Sequence, residues 1–252
     1  METRHGRRLA YTKTPGGAET AVTPGVIFLG GFRSDMTGTK ATHLEAWAKT
    51  RGYPFLRFDY SGHGASSGAF LDGAIGDWAE DAAAVLTTLT AGPQILVGSS
   101  MGGWIALLLA RAHPDRVAGL VGIAAAPDFT EDSMWAGFDA AQRQTLRDTG
   151  QVALPSEYDD GPYIITRRLI EDGRKHLVLR TPLALPMPVR LLHGTADTDV
   201  AQRVPLALLA HATAADMTLT LLKDADHRFS SPSALALIDA AVEDVAARVA
   251  GA

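Results

Sequence analysis

QILVGSSMGGWIALLLARAH, residues 94–113, joins an apolar run, Ile95-Leu96-Val97, to a small-residue turn, Gly98-Ser99-Ser100-Met101-Gly102. An almost wholly apolar stretch, Trp104 to Ala110, follows. The run has the character of a strand buried on both faces, and the stretch after the turn that of a buried helix. A sharp strand-to-helix turn that carries a serine is a nucleophile elbow. Side chains two residues before and two after the serine have no room in such a turn, hence Gly98 and Gly102. Ser100 then stands at the end of the strand, above the positive end of the helix dipole.

The five-residue pattern occurs twice. The second copy, Gly64-Ala65-Ser66-Ser67-Gly68, has no apolar strand directly before it and no apolar helix after it; Ala69-Phe70-Leu71-Asp72-Gly73 soon breaks. Residues 64–68 therefore read as a loop, and Ser100 as the candidate nucleophile.

Around this centre, strands and helices alternate. Val26-Ile27-Phe28-Leu29 reads as a strand that ends at Gly30-Gly31-Phe32. A helix follows over Lys40–Arg51 with Gly52 as its stop. Pro54–Asp59 reads as a strand, Asp77–Leu89 as an amphipathic helix, and Val117–Ala126 as the strand after the elbow helix. This alternation predicts a mostly parallel sheet with helices on both faces. Residues 5–22 read as an N-terminal hairpin. Over residues 128–187 the alternation stops. Helix-like pieces, Glu131–Asp148 and Ile164–Val178, surround a loop at 154–162, which predicts a short helical cap over the C-terminal edge of the sheet. The sheet then resumes at Val189-Arg190-Leu191-Leu192. A helix near Val204–Ala212, a last strand at Met217–Leu222 and a helix opened by Ser231-Pro232 complete the chain.

The 252 residues suit one α/β domain spanning the whole sequence. A net charge of −5 gives no reason to expect nucleic acid. The absence of cysteine excludes disulfides, a thiol nucleophile and thiolate metal sites. No apolar run reaches the roughly 18 residues of a membrane span, and the N-terminus has no apolar leader segment. A cytoplasmic location is the resulting expectation.

A serine hydroxyl needs an oriented base to remove its proton. In this architecture the acid follows the serine in the chain and the histidine comes last. Leu192-His193-Gly194-Thr195-Ala196-Asp197 places an acid in the loop after a core strand, with Asp199 as a rival further from the strand's end. Ala225-Asp226-His227-Arg228-Phe229 places a histidine after the last strand. Ser100, Asp197 and His227 are thus the candidate triad. The backbone N–H groups of Met101 and Phe32 are the candidate oxyanion donors. No histidine pair has a metal-ligand context, so no metal is expected. Trp135, Phe138, Tyr158 and Tyr163 in the cap are candidate walls of an acyl pocket, and Arg33 is a candidate partner for a substrate carboxylate.

The elbow GSSMGG, the acid loop HGTAD and the base loop DADHRF resemble the α/β-hydrolase superfamily over almost the whole chain. FLGGFRSDMTGTK (28–40), RFDYSGHGASSG (57–68), VGSSMGGW (97–104) and RLLHGTADTDV (190–200) are similar to the mitochondrial acyl-protein thioesterases of that superfamily and their bacterial relatives. The resemblance implies the α/β-hydrolase fold, a Ser-Asp-His triad on Ser100, Asp197 and His227, no cofactor, and cleavage of palmitoyl thioesters or acyl glucuronides. Gly30-Gly31 stands where many members carry His-Gly, and Ser61 where many carry Arg; neither change removes a catalytic atom. The expectation is a serine hydrolase for carboxylic esters or acyl thioesters, with a small-molecule or acylated substrate. The alternatives are a peptidase or amidase with the same triad, or a ligand receptor with little turnover.

Overall fold

The protein is described here by a computed structural model covering residues 1–17, 24–154 and 162–251. In chain order the main sheet is built from β1 (Tyr11–Thr14), β2 (Gly25–Leu29), β3 (Phe55–Phe58), β4 (Gln94–Ser99), β5 (Val117–Ile123), β8 (Val189–Gly194) and β9 (Met217–Leu222). They lie side by side in the order β1-β3-β2-β4-β5-β8-β9. β1 runs antiparallel to β3, and every other neighbouring pair is parallel. The expected mostly parallel sheet is therefore present. Parallel strands need crossovers, and the helices that supply them cover both faces.

α1 (Thr39–Arg51) and α7 (Pro232–Ala250) close one face, where Leu44, Trp47, Ile238 and Val242 pack on Val26, Phe28, Val97 and Val121. α2 (Ile75–Leu89) and α3 (Met101–Ala112) close the other through Trp78, Val85, Trp104 and Leu108. Fully burying an aliphatic or aromatic side chain of this size stabilises by about 1.5–3 kcal/mol. That is why β4, buried at all its positions, lies at the centre of the sheet.

Local chemistry sets the helix ends. Gly52, at φ 76°, takes the left-handed conformation after α1 and donates to the Ala48 carbonyl. Ser231 caps α7 by accepting from Ala234 N–H, with Pro232 in the first turn. α2 starts at Ile75, two residues before the position expected from periodicity, because the Asp77 carboxylate accepts from Ala74 N–H at 3.0 Å.

Two expectations are corrected. The hairpin predicted over residues 5–22 is not seen as such. Within the described part, β1 finds its partner in β3, and residues 18–22 lie outside the described residues. The cap between β5 and β8 is not purely helical. It contains a π-helical turn (Thr130–Trp135), α4 (Ala140–Thr149), an antiparallel pair β6 (Gln151–Leu154) and β7 (Tyr163–Thr166), and α5 (Arg167–Gly173). Tyr163-Ile164-Ile165-Thr166 is rich in aromatic and β-branched residues, which favour strands. At four residues it is too short for periodicity to separate it from the helix that follows. That helix begins only after Thr166, whose hydroxyl caps it by accepting from Leu169 N–H at 3.1 Å.

The two ends of the cap are tied together at Asp128. Its buried carboxylate accepts from Val178 N–H at 2.8 Å and Leu179 N–H at 3.0 Å, and meets the Arg180 guanidinium.

Candidate active site

β4 delivers the elbow. Ser100 follows its last residue at φ 54°, ψ −117°, a conformation costly for a residue with a side chain. The strain is held by close packing around it. A Cβ on Gly98 would lie 2.4 Å from the Gly102 carbonyl oxygen, and one on Gly102 would lie 2.1 Å from that of Leu29. Ser100 N–H donates to Ile123 O and its carbonyl accepts from Gly103 and Ala126 N–H. The turn is thus pinned to β5 and α3.

His227 comes from the loop after β9, and Asp197 from the loop after β8. The two loops touch through Ala196 N–H and Ala225 O at 3.0 Å. His227 Nε2 lies 3.1 Å from Ser100 Oγ, and its Nδ1 lies 2.9 Å from Asp197 Oδ2. With Asp197 ionised, Nδ1 carries the proton it donates, and Nε2 is left to accept from the serine hydroxyl. Burial alone would raise the Asp197 carboxyl. The hydrogen bonds from His227 and from Val200 N–H bring it below the usual carboxylate value instead. Asp199 is exposed and gives its own N–H to Asp197 Oδ1 at 3.0 Å. Asp226 turns the base loop by accepting from Phe229 N–H at 3.1 Å. His193, fully buried behind the acid loop, lies 2.9 Å from Val200 O through Nε2, and desolvation lowers its pKa.

The loop between β2 and α1 passes over Ser100, with Gly31 placed so that a Cβ there would lie 3.5 Å from the serine Cβ. Ser34 holds the Gly31 carbonyl through its N–H and its hydroxyl. In a trans peptide the N–H points opposite to the carbonyl, so Phe32 N–H faces away from Ser34. Met101 is the first residue of α3, where N–H groups have no intrahelical partner. The Phe32 ring meets Phe70 at 4.9 Å, Phe129 at 5.8 Å and Trp78 at 6.0 Å, which anchors the loop. Ser66, the rival serine, spends its hydroxyl on Asp59 O and accepts from Ala10 N–H.

A cavity of about 460 Å³ opens over Ser100 and His227. Of the aromatic candidates, Tyr163 lines it. Trp135 and Phe138 do not, which corrects the expectation for both. Trp135 packs on Phe138 and between the guanidiniums of Arg143 and Arg174, and Phe138 is buried in the core. Tyr158 lies outside the described residues. Arg33, also outside the lining, sits over the rings of Tyr163 and Phe70 at 5.0 and 5.6 Å. The apolar wall is instead Phe129, Met134, Leu154 and Ile165. Met134, Leu154 and Ile165 stand in the π-helical turn and the strand pair, and Phe129 just before the turn, an arrangement that a helical reading of the cap could not bring together. Lys40, in the first turn of α1, also lines the cavity, and nothing in the sequence around it marks a pocket residue.

Asp197, Asp199 and His227 are the group among the described residues whose donor atoms converge within 4.8 Å. A cation there would have to displace the His227–Asp197 hydrogen bond.

A family model described as alpha/beta hydrolase fold matches residues 38–160. The chain is 35% identical to the palmitoyl-protein thioesterase ABHD10, mitochondrial, of Rattus norvegicus, over 94% of this chain and 78% of that protein. The crystal structure of a putative hydrolase from Agrobacterium vitis superposes with a TM-score of 0.92 at 42% identity, covering 98% of this chain and 96% of the other. Mouse alpha/beta hydrolase domain-containing protein 10 does so with a TM-score of 0.90 at 33% identity, covering 99% and 98%. The mitochondrial designation of the curated relatives overturns the expectation of a cytoplasmic location, which rested only on missing sequence signals. No helix among the described residues is long and apolar enough to cross a membrane.

Proposed function

This chain belongs to the α/β-hydrolase family, and from that premise we propose that it cleaves acyl thioesters and carboxylic esters through an acyl-enzyme on Ser100. The hydrogen-bonded series Ser100–His227–Asp197, with Ser100 and His227 lining a cavity that has an apolar wall and Asp197 buried behind them, carries the reading. Substrate binds with its acyl chain against Phe129, Met134, Leu154 and Ile165. Ser100 Oγ attacks the carbonyl carbon while His227 Nε2 takes its proton. The imidazolium is stabilised by Asp197 through Nδ1–H. The tetrahedral oxyanion is held by the N–H groups of Met101 and Phe32, each such donor contributing about 2.7–4 kcal/mol to the transition state. On collapse His227 protonates the departing sulfur or oxygen. Water, deprotonated by His227, then releases the acid and restores Ser100.

The similarity to a palmitoyl-protein thioesterase supports thioesters as the substrate class. The test is a fluorophosphonate probe together with hydrolysis of matched S-acyl, O-acyl and N-acyl substrates. Labelling and turnover should be lost in Ser100→Ala and kept in Ser66→Ala. Labelling that persists in Ser100→Ala would overturn the nucleophile assignment, and faster cleavage of the amide would overturn the substrate class.

A further inference from the structure

The cavity has two chemically different walls. One is the apolar surface of the cap. The other comes from the β2–α1 loop, the first turn of α1 and the base loop, and carries Ser34, Asp35, Lys40 and Arg228. The path of the proton decides which wall meets the leaving group. His227 Nε2 takes the serine proton and must hand it to the departing atom, so the leaving group departs on the side of His227. Lys40 Nζ donates to the carbonyl of Arg228, the residue after His227. Its ammonium therefore stands beside the base.

The Arg228 carbonyl is the one hydrogen-bond acceptor that Lys40 finds among the described residues, and no carboxylate there reaches ion-pair distance. Burial pulls the amine down to about 8; Asp226 acts against this and Arg228 adds to it. A lysine whose pKa falls despite a nearby acid is a cation that its surroundings leave undercompensated. Asp35, Asp199 and His227 share the cavity with it, and none is paired with it. An anion arriving at this wall would supply the missing compensation through a charge-assisted hydrogen bond.

We infer that Lys40 is a specificity residue that favours substrates whose leaving group carries an anion, carboxylate or phosphate, held against its ammonium while the acyl chain lies under the cap. The inference rests on the acyl-transfer reading of this cavity. It concerns the leaving group, which the apolar wall does not select.

The experiment uses the full chain and thioesters of one acyl group. The carboxylate pair is S-acyl 3-mercaptopropionate against its neutral 3-mercaptopropionamide. The phosphate pair is S-acyl 4′-phosphopantetheine against S-acyl pantetheine. The charged member of at least one pair should be favoured about tenfold in kcat/KM, mainly through KM. The pair that shows the preference identifies the anion. Lys40→Met should abolish the charged-to-neutral ratio. In the native protein the ratio should decline above pH about 8 as the ammonium loses its proton. Lys40→Arg, which keeps its charge, should hold the ratio at higher pH, and this arm stands even if Lys40→Met does not fold. A native enzyme that turns over all four thioesters with no charge preference overturns the inference, as does a preference that survives Lys40→Met. Either result leaves acyl transfer standing. Absence of turnover on every thioester overturns acyl transfer, and the inference with it.

Discussion

Replacing Asp197 by Asn changes no volume and still removes the protonation control of the site. Asp197 Oδ1 accepts from Asp199 N–H at 3.0 Å and Val200 N–H at 2.8 Å. Two backbone donors demand an acceptor, so an Asn side chain keeps its carbonyl oxygen there and turns its amide N–H toward His227 Nδ1. That nitrogen can then only accept. The proton moves to Nε2, which presents a donor to Ser100 Oγ in place of an acceptor, and the hydroxyl loses its base. Tautomer inversion of this kind costs about 10⁴-fold in kcat, or about 5.4 kcal/mol of transition-state stabilisation. Asp199→Asn keeps the backbone N–H that Asp197 accepts from and removes one exposed carboxylate charge from the cavity lining, so its effect should stay within about fivefold. The assay is kcat on one thioester for the native protein and both variants, with thermal unfolding as the control. Because Asp197→Asn keeps both backbone hydrogen bonds, its unfolding temperature should move by only a few degrees. An Asp199→Asn loss equal to or larger than that of Asp197→Asn would refute the reasoning and move the acid role to Asp199.

Gly102→Ala places a methyl group 2.1 Å from the Leu29 carbonyl oxygen and 2.6 Å from that of Gly30, so the β2–α1 loop must retreat from Ser100. The expected result is a loss of about 10²-fold in kcat, read on a thioester, together with about 1–3 kcal/mol of stability, read by denaturant unfolding. Glu45 accepts from Lys49, Arg57 and Thr14, and these bonds, that from Lys49 foremost, hold its carboxyl down to about 2. A depressed folded pKa contributes stability that is present above the unfolded value and lost as pH falls through the folded one. Glu45→Gln should therefore destabilise by about 1.5–3 kcal/mol near neutral pH. The gap from the native protein should shrink between the ordinary glutamate range and pH about 2, and acid titration of both proteins checks this. An unchanged gap at low pH would remove Glu45 from the account.

The residues that form the apolar wall of the cavity show where reading the chain reaches its limit. Long elements announce themselves through repeated apolar positions, so β4 and α2 are legible within two residues and α3 within three. Met134, Leu154 and Ile165 sit on a π-helical turn and on four-residue strands, where no period has room to develop. Trp135 and Phe138 look like the better pocket residues by size. Their burial against Arg143, Arg174 and the core depends on which face the cap turns inward.

By itself the sequence determined the alternation of strands and helices, the glycines that the elbow requires, and the order serine, acid, histidine. These are local properties: a steric limit at a tight turn, a hydrophobic period, and a position along the chain. It also separated Ser100 from Ser66 by the company each keeps. Only the tertiary structure brought Ser100, His227 and Asp197 within hydrogen-bond distance, set the Asp197 loop against the His227 loop, and put Asp197 rather than Asp199 against His227 Nδ1. Only the structure stood Lys40 beside the backbone that follows His227. Hydrogen bonds act over about 3 Å, and residues 40, 100, 197 and 227 are joined by distance only once β2, β4, β8 and β9 lie in one sheet and open their loops at one edge.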